Sequence, residues 1–335
     1  MVKTRSTGDK NFKIDTALVL SGGGAKGAYQ AGVIKGLLKM SLKFQLIIGS
    51  SIGAFNGALL AEFINSGYSN RETGARLERV WNELEDFLCF NWSGFLSNIL
   101  KPVKIPSIFS NRELKRLLNT YFPEERSFSD FKHCQLSITG TNLNRRKLTI
   151  FDYNSSVPVN RAVLASMAFP VAFPAVKIEG DNYIDGGILS NAPLKEAILW
   201  GARNIYVVFL TPLKAVMGEG NDSSRKESYS ALQIIEELID LASSRLMYGD
   251  LEKAEEINEL IKLLSRYGDK LPEGFNRELS KLFGLRFGDG KRVIHIKKIA
   301  PKRVLDPPGL GGFKDKKVLK KLIEMGERDA NRIFI

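Results

Sequence analysis

Short apolar runs alternate with amphipathic stretches along most of this 335-residue chain. The runs at 16–20, 46–48 and 205–210 have the length of strands and contain no charged residue, which is typical of strands buried on both faces of a sheet. Helical stretches are expected at 33–40 and 192–200. Strands and helices that alternate in this way predict an open α/β sheet.

The remaining elements follow from the same pattern. Further strands are expected at 134–142, 148–151 and 293–299. Further helical regions are expected at 70–121, 161–168, 232–245, 251–267 and 314–328. Because a strand comes so late in the chain, we expect one domain with a helical insertion. Its parts are a polar tail at 1–15, a core at 16–210, a helix-rich insertion at 211–290, and a final strand and helix at 291–335.

The net charge of +12 is the most informative feature of the composition, which is otherwise that of an ordinary globular protein. The basic residues of the C-terminal part are Lys291, Arg292, Lys297, Lys298, Lys302, Arg303, Lys314, Lys316, Lys317, Lys320 and Lys321. A basic face attracts anionic membranes or nucleic acid, and the alternative is an ordinary solvated surface. The chain has no zinc finger, RNP or other nucleic-acid motif, so we expect no nucleic-acid partner.

Targeting and cysteine patterns indicate a cytoplasmic protein. No apolar run approaches the ~20 residues that span a bilayer, and residues 1–15 lack the apolar core of a signal peptide. Cys89 and Cys134 form no CxxC pair, and no Cys/His cluster has the spacing of a metal site. We therefore expect a reduced protein without a bound metal.

A possible nucleophile lies where the second apolar run meets a helix. The residues are Gly49, Ser50, Ser51, Ile52 and Gly53, and they match the G-x-S-x-G elbow. A serine on so tight a turn takes a strained backbone conformation, so the residues two positions away on either side must be small. Its hydroxyl then lies at a helix N-terminus, where negative charge is favoured. The alternative is an ordinary Gly/Ser turn.

A glycine-rich loop follows the first strand. Its residues are Gly22, Gly23, Gly24, Ala25, Lys26 and Gly27. They fit either a dinucleotide fingerprint or an oxyanion hole, in which bare N–H groups face a developing alkoxide. The dinucleotide site needs a carboxylate at the end of the second strand, and none is there; a P-loop needs Gly-Lys-Ser/Thr, which is missing. An oxyanion loop beside a serine is the more economical interpretation.

A serine hydroxyl needs a base, and Asp185 is the candidate. It precedes Gly186 and Gly187 at a predicted strand end, although a plain Asp-Gly-Gly turn would look the same. His133 and His295 lie in strand contexts that do not suggest a site. A carboxylate is a weak base, so burial or a shared hydrogen bond with Ser51 would have to raise its pKa.

Together these motifs resemble the patatin-like phospholipases, in both order and context. The stretches 165–174 and 190–194 are also similar to that family, and the likeness covers roughly 16–210. It implies Ser51 as nucleophile, Asp185 as base, and an oxyanion hole at 22–27. It also implies a mechanism without metal or cofactor, and a three-layer α/β/α sandwich around a mostly parallel sheet. Nothing is implied for the insertion.

The expected function is therefore a lipid acyl hydrolase of the phospholipase A or lysophospholipase type. The alternatives are a catalytically silent lipid- or protein-binding module and a nucleotide-binding protein. We further expect the basic C-terminal face to dock on anionic lipid, with residues 87–108 near the acyl chains. This aromatic segment is predicted to be either a mobile lid or acyl-chain wall, or a loop-rich part of the core.

Overall fold

A computed structural model describes most of the chain. The described residues are 13–87, 111–170, 172–216, 231–267, 274, 293–305, 313 and 315–332. Cys89, the predicted aromatic segment from residue 88 onward and most of the polar tail lie outside them.

The predicted strands and helices occur in the predicted order, and the structure adds one short strand, Val176–Ile178, that the sequence did not predict. The strands are β1 (Thr16–Leu20), β2 (Leu46–Gly49), β3 (Gln135–Asn142), β4 (Lys147–Phe151), β5 (Val176–Ile178), β6 (Asp181–Asp185), β7 (Asn204–Val208) and β8 (His295–Ile299). The α-helices are α1 (Gly27–Lys39), α2 (Ile52–Asn65), α3 (Asn70–Phe87), α4 (Asn111–Tyr121), α5 (Val159–Ser166), α6 (Leu194–Leu199), α7 (Leu213–Val216), α8 (Ala231–Tyr267) and α9 (Lys316–Asn331). Short 3₁₀ turns lie at Gly24–Lys26, Phe128–Asp130 and Gly186–Ile188.

The strands form one mixed sheet in the order β5-β6-β3-β2-β1-β7-β8, with β4 also paired to β3. The pairs from β3 through β2, β1 and β7 to β8 are parallel, and the pairs that involve β4, β5 and β6 are antiparallel. The expectation of a mostly parallel sheet is confirmed.

Helices cover both faces of this sheet. Alternate residues of β1, such as Leu18 and Val19, point into two separate cores. The first core packs α1, α2, α3, α4, α5 and α9 on one face, and the second packs α6 and α8 on the other. This is the expected three-layer α/β/α sandwich.

Strand β3 brings two distant parts of the chain to one edge. Ile138 pairs with Gly49 of β2 and with β4, so β2 and β4 lie on opposite edges of β3. Gly140 pairs with Asp185 of β6 and again with β4, so β6 shares the edge of β2. Asp185 therefore lies two β3 residues, about 7 Å, beyond Gly49. The turn that leaves β2 and the end of β6 meet there.

Two helix predictions were wrong in their bounds. Helix α1 begins at Gly27 rather than at Val33, because the glycine loop turns directly into it. The two helices predicted at 232–245 and 251–267 are one helix, α8. A glycine inside a helix costs about 1 kcal/mol, and Gly249 does not break α8, because Met247 and Leu251 on either side of it are buried in the second core.

The C-terminal part adds to both the sheet and the first helical layer. Strand β8 pairs in parallel with β7, and α9 packs against α1. The domain boundaries at 210 and 290 stay predictions. Within the described residues, no helix is both long enough and apolar enough to cross a membrane.

Candidate active site

Ser51 lies in the tight turn between β2 and α2, at φ 53° and ψ −125°. This left-handed conformation is strained for a residue with a side chain. A Cβ at Gly49 would meet the carbonyl oxygen of Gly53, and one at Gly53 would meet that of Leu20. The turn can therefore form only with glycine at both positions, as the sequence spacing predicts. It leaves Ser51 partly exposed between the buried Ser50 and Ile52.

Asp185 faces this serine although the two are 134 positions apart. The Ser51 Oγ–H donates to Asp185 Oδ2 at 2.5 Å. The other carboxylate oxygen, Oδ1, accepts the Gly187 N–H at 2.7 Å, so the Asp-Gly-Gly turn holds the carboxylate from behind. Asp185 is 3% exposed. The side chain is therefore positioned by β6 and by its own turn.

Burial raises the pKa of Asp185 from 3.8 to about 7. The hydrogen bonds from Ser51 and Gly187 act in the opposite direction and lower this pKa. Of the two causes that the sequence left open, burial is therefore the one that raises the basicity, and the shared hydrogen bond limits it. A carboxylate with a pKa near 7 is a competent general base at neutral pH.

The glycine loop passes directly beside Ser51. A Cβ at Gly22 would lie 2.9 Å from Ser51 Cβ, and the Gly22 N–H donates to Asn191 Oδ1 at 2.8 Å. Gly23 and Gly24 have φ of 153° and 57°, values that favour glycine. Asn191, from the stretch 190–194, therefore ties the start of the loop to the segment that follows Asp185.

Only part of the predicted oxyanion loop has amides available for a ligand. The Gly22 amide is taken by Asn191, and the amides of Lys26 and Gly27 donate to carbonyls of the loop itself. Among the described residues, the N–H groups of Gly23, Gly24 and Ala25 have no partner. The predicted six residues thus reduce to three consecutive donors, which form the start of the turn that leads into α1.

Lys26 turns away from these donors. Its Nζ lies 3.3 Å from Asp240 Oδ2 of α8, and its side chain is only 8% exposed. The ion pair therefore connects the glycine loop to the long helix in the second layer. The sequence contained no sign of this contact, because the two residues are 214 positions apart.

A buried polar network, also missed from sequence, supports the loop from below. Gln30 Nε2 donates to the Ser21 carbonyl at 3.1 Å, and Asn56 Nδ2 donates to the Gly27 carbonyl at 2.9 Å and to Gln30 Oε1 at 3.0 Å. The Trp81 indole N–H donates to Asn56 Oδ1 at 2.9 Å. Both ends of the glycine loop are thereby tied to α1 and α2. In the sequence, Gln30 and Asn56 stand out as single polar residues inside apolar helical stretches, but their partners cannot be identified from it.

Ser166 makes a second contact that the sequence does not predict. Its Oγ accepts the Ser51 N–H at 2.9 Å, and the residue is fully buried at the end of α5. The stretch 165–174 is similar to the family, but its sequence alone does not indicate this contact. The hydrogen bond holds the amide of the strained residue at the elbow and removes that amide from the groups that could bind a ligand.

Both histidines lie at the other end of the sheet. His133 lies two residues before β3, and His295 is the first residue of β8. These strands run parallel to β2 and β7, so their amino ends are opposite the edge that carries Ser51. Both histidines are exposed.

Comparison with known proteins agrees with this geometry. A family model described as patatin-like phospholipase matches residues 18–198. The uncharacterized protein YqhO of Bacillus subtilis (strain 168) is 27% identical over 231 residues, which cover 64% of this chain and 77% of that protein. The probable lipid hydrolase 463L of Invertebrate iridescent virus 6 is 26% identical over 254 residues, which cover 72% of this chain and 85% of that protein.

A third relative is much longer than this chain. Lysophospholipase nte1 of Aspergillus terreus is 30% identical over 194 residues. The match covers 57% of this chain and 12% of the fungal protein.

Proposed function

The chain belongs to the patatin-like phospholipase family, and on that basis we propose that it is a lipid acyl hydrolase of the phospholipase A or lysophospholipase type. In this proposal Ser51 is the nucleophile and Asp185 is the only base. The observation that carries it is the 2.5 Å hydrogen bond from Ser51 Oγ to a buried carboxylate whose pKa is raised to about 7. Family membership supports lipid ester hydrolysis, and the dyad is our assignment.

The first half of the reaction acylates the serine. Ser51 Oγ attacks the ester carbonyl carbon while its proton passes to Asp185 Oδ2. The carbonyl oxygen becomes an alkoxide, and the free N–H groups of Gly23, Gly24 and Ala25 donate to it. When the intermediate collapses, the C–O bond to the alcohol breaks, and the departing oxygen takes the proton from Asp185. An acyl-enzyme remains.

The second half frees the acid. Asp185 takes a proton from water, and the hydroxide attacks the acyl carbonyl within the same donors. The bond to Ser51 Oγ then breaks, and Asp185 returns the proton to the serine. One carboxylate thus serves as base and then as acid in each half-reaction, which requires a pKa close to the working pH.

We also propose where the enzyme meets its substrate. The net charge of +12 favours an anionic membrane surface as the place where the enzyme meets its substrate. Cytoplasmic localisation stays a prediction.

The two alternatives to this function are a silent binding module, which would not hydrolyse any ester, and a nucleotide-binding protein, which would bind ATP or NAD in a titration.

A labelling experiment tests the proposal directly. A fluorophosphonate probe should react with the wild type at Ser51, identified by peptide mass, and should leave Ser51→Ala unlabelled. Mass spectrometry of the products from phospholipid and lysophospholipid mixtures should then show free fatty acid. Absence of both labelling and fatty acid with folded wild type would favour the silent module.

A further inference from the structure

One side of the long helix α8 is apolar in its first half and mainly acidic in its second half. The outward line of this helix runs through Ile234, Leu238, Leu241 and Arg245, at spacings of three or four residues that place them on one face. Beyond Gly249 the same line continues with the acidic residues Glu252, Glu256 and Glu259 and reaches Leu263 near the end of the helix. We call Ile234, Leu238 and Leu241 the apolar stripe.

The apolar stripe is exposed to an unusual degree. Ile234 is 47% exposed, Leu238 is 59% and Leu241 is 68%. Full burial of such a side chain contributes ~1.5–3 kcal/mol, so a helix that belonged wholly to its own domain would turn these residues inward. A single exposed leucine is ordinary, but three on one face of one helix form a patch.

The inward side of the same half is polar up to Met247, where the buried apolar side begins. Asp240 pairs with the buried Lys26, and Ser243 and Ser244 are 5% and 4% exposed. In the second half of α8 the usual arrangement returns, with Leu251 and Ala254 buried against the sheet. The inverted polarity is therefore confined to the part of α8 that reaches the candidate active site.

The position of the apolar stripe ties it to that site. Asp240 lies within it in sequence and contacts the glycine loop through Lys26, and α8 packs against the 3₁₀ turn Gly186–Ile188 that follows Asp185. Leu189, at the end of this turn, is 42% exposed. A helix is about 10 Å across with its side chains, so the stripe lies roughly one helix diameter from the loop.

We infer that the apolar stripe docks on the hydrocarbon surface of a lipid aggregate and brings the Ser51 edge to the depth of the acyl ester. This inference rests on the proposed function, because it takes the occupant to be the substrate's own lipid phase. An interfacial helix of this kind places its apolar side among the acyl chains. Arg245, next on the same line, can reach phosphate groups while its stem stays on the apolar side.

The area of the stripe favours lipid over a second copy of this chain. A stable protein interface takes ~800 Å² from each partner, which is more than three side chains of one helix supply. Glu237 beside the stripe and the acidic half of α8 gain nothing from anionic lipid, so docking through the stripe is hydrophobic and does not depend on lipid charge. Helix α9, with much of the C-terminal positive charge, lies in the opposite layer of the sandwich.

The test is sedimentation of the full chain with neutral phosphatidylcholine vesicles at low and high salt. Leu238→Asn combined with Leu241→Asn should lower the vesicle-bound fraction about tenfold, and salt should have little effect. The matched control changes Leu143→Asn and Leu263→Asn, which are 46% and 50% exposed. Leu143 is outside α8, and Leu263 lies ~33 Å from Leu241 along α8, beyond the acidic residues. The control should bind as the wild type does.

A second measurement covers the case in which the double variant does not fold. Leu238→Cys carrying a polarity-sensitive fluorophore should shift to shorter wavelength when vesicles are added, and Leu263→Cys should not. Equal vesicle binding by the stripe and control variants, or no wild-type binding to neutral vesicles, would overturn the inference. So would a wild-type dimer that the stripe variant converts to a monomer, because the stripe would then bind a second copy.

These measurements do not depend on turnover. If the proposed hydrolase activity is wrong, the wild type fails to cleave esters, while vesicle binding still reports on the stripe. If the stripe assignment is wrong, the fluorophosphonate still labels Ser51, and only the vesicle results change.

Discussion

The sheet edge around Ser51 and the outward side of α8 are neighbouring regions that place their polar and apolar side chains in opposite ways. At the sheet edge, Ser51 and Asp185 are each held by partners inside the protein, at 2.5–2.9 Å. On α8, the apolar side chains face outward, and the polar Asp240 faces inward. We take the first region to perform the chemistry and the second to deliver the lipid. The predictions below test the first role, and the vesicle measurements described above test the second.

Removal of either member of the dyad should have the largest effect. Ser51→Ala and Asp185→Asn should each lower kcat for a soluble acyl ester by ~10⁴-fold or more, and the double variant should lose little beyond that, because the two act as one unit. His133→Ala and His295→Ala are the controls and should keep most activity. An inactive but folded histidine variant, with turnover retained in Asp185→Asn, would instead indicate a Ser–His hydrolase.

A side chain in the glycine loop should have the next largest effect. Gly24→Ala places a methyl group at φ 57°, where it disturbs the three free amides, and should lower kcat by ~10²-fold with a smaller change in KM. Gly67→Ala is the matched control, since Gly67 also has a positive φ, of 81°, but nothing within 4 Å. If the loop binds nucleotide, Gly24→Ala would lose ATP or NAD affinity and keep its esterase turnover.

The pH profile tests the basicity of Asp185. Its raised pKa means that the carboxyl group is protonated, and unable to act as a base, below about pH 7. We therefore expect kcat/KM on a soluble ester to rise about tenfold per pH unit up to about pH 7 and then to level off. A profile that is flat from pH 5 to 8 would show that the base has an ordinary carboxylate pKa or is another group.

Loss of the Ser166 hydroxyl should have the smallest effect of the four. Ser166→Ala leaves the Ser51 N–H without its buried acceptor, so the strained elbow can relax, and kcat should fall about tenfold while KM stays similar. The control is Ser137→Ala, because Ser137 is fully buried and its Oγ has no partner among the described residues. Fluorophosphonate labelling should slow by the same factor in Ser166→Ala only.

The candidate site was predictable from sequence to the extent that its backbone is constrained locally. Gly49 and Gly53 are required by the turn that carries Ser51, and such a requirement is visible in five consecutive residues. Asp185 could be singled out because it sits before two glycines at a strand end. Ser166, Asn191 and the Gln30–Asn56–Trp81 network could not, since each acts through a contact with a distant segment.

The helix predictions show the same limit, because they also depend on contacts with distant segments. The pattern at 232–267 predicts two helices, because Gly249 and Asp250 resemble a break. Burial of Met247 and Leu251 on both sides of the glycine keeps α8 continuous, and this burial depends on a sheet formed elsewhere in the chain. The outward position of the apolar stripe is likewise invisible in sequence, where its leucines look like an ordinary core face.

The sequence by itself determined the order of strands and helices, the elbow at Ser51, the glycine loop and the likeness to a family, because these follow from local spacing and backbone sterics. Only the tertiary structure decided that Asp185 meets Ser51 along one edge of β3, which loop amides stay free, and which side of α8 faces outward. Those outcomes depend on strand pairing and packing between residues more than 100 positions apart, as for Ser51 and Asp185 at 134. Hydrogen bonding and burial at such distances are properties of the assembled sheet, and no local pattern encodes them.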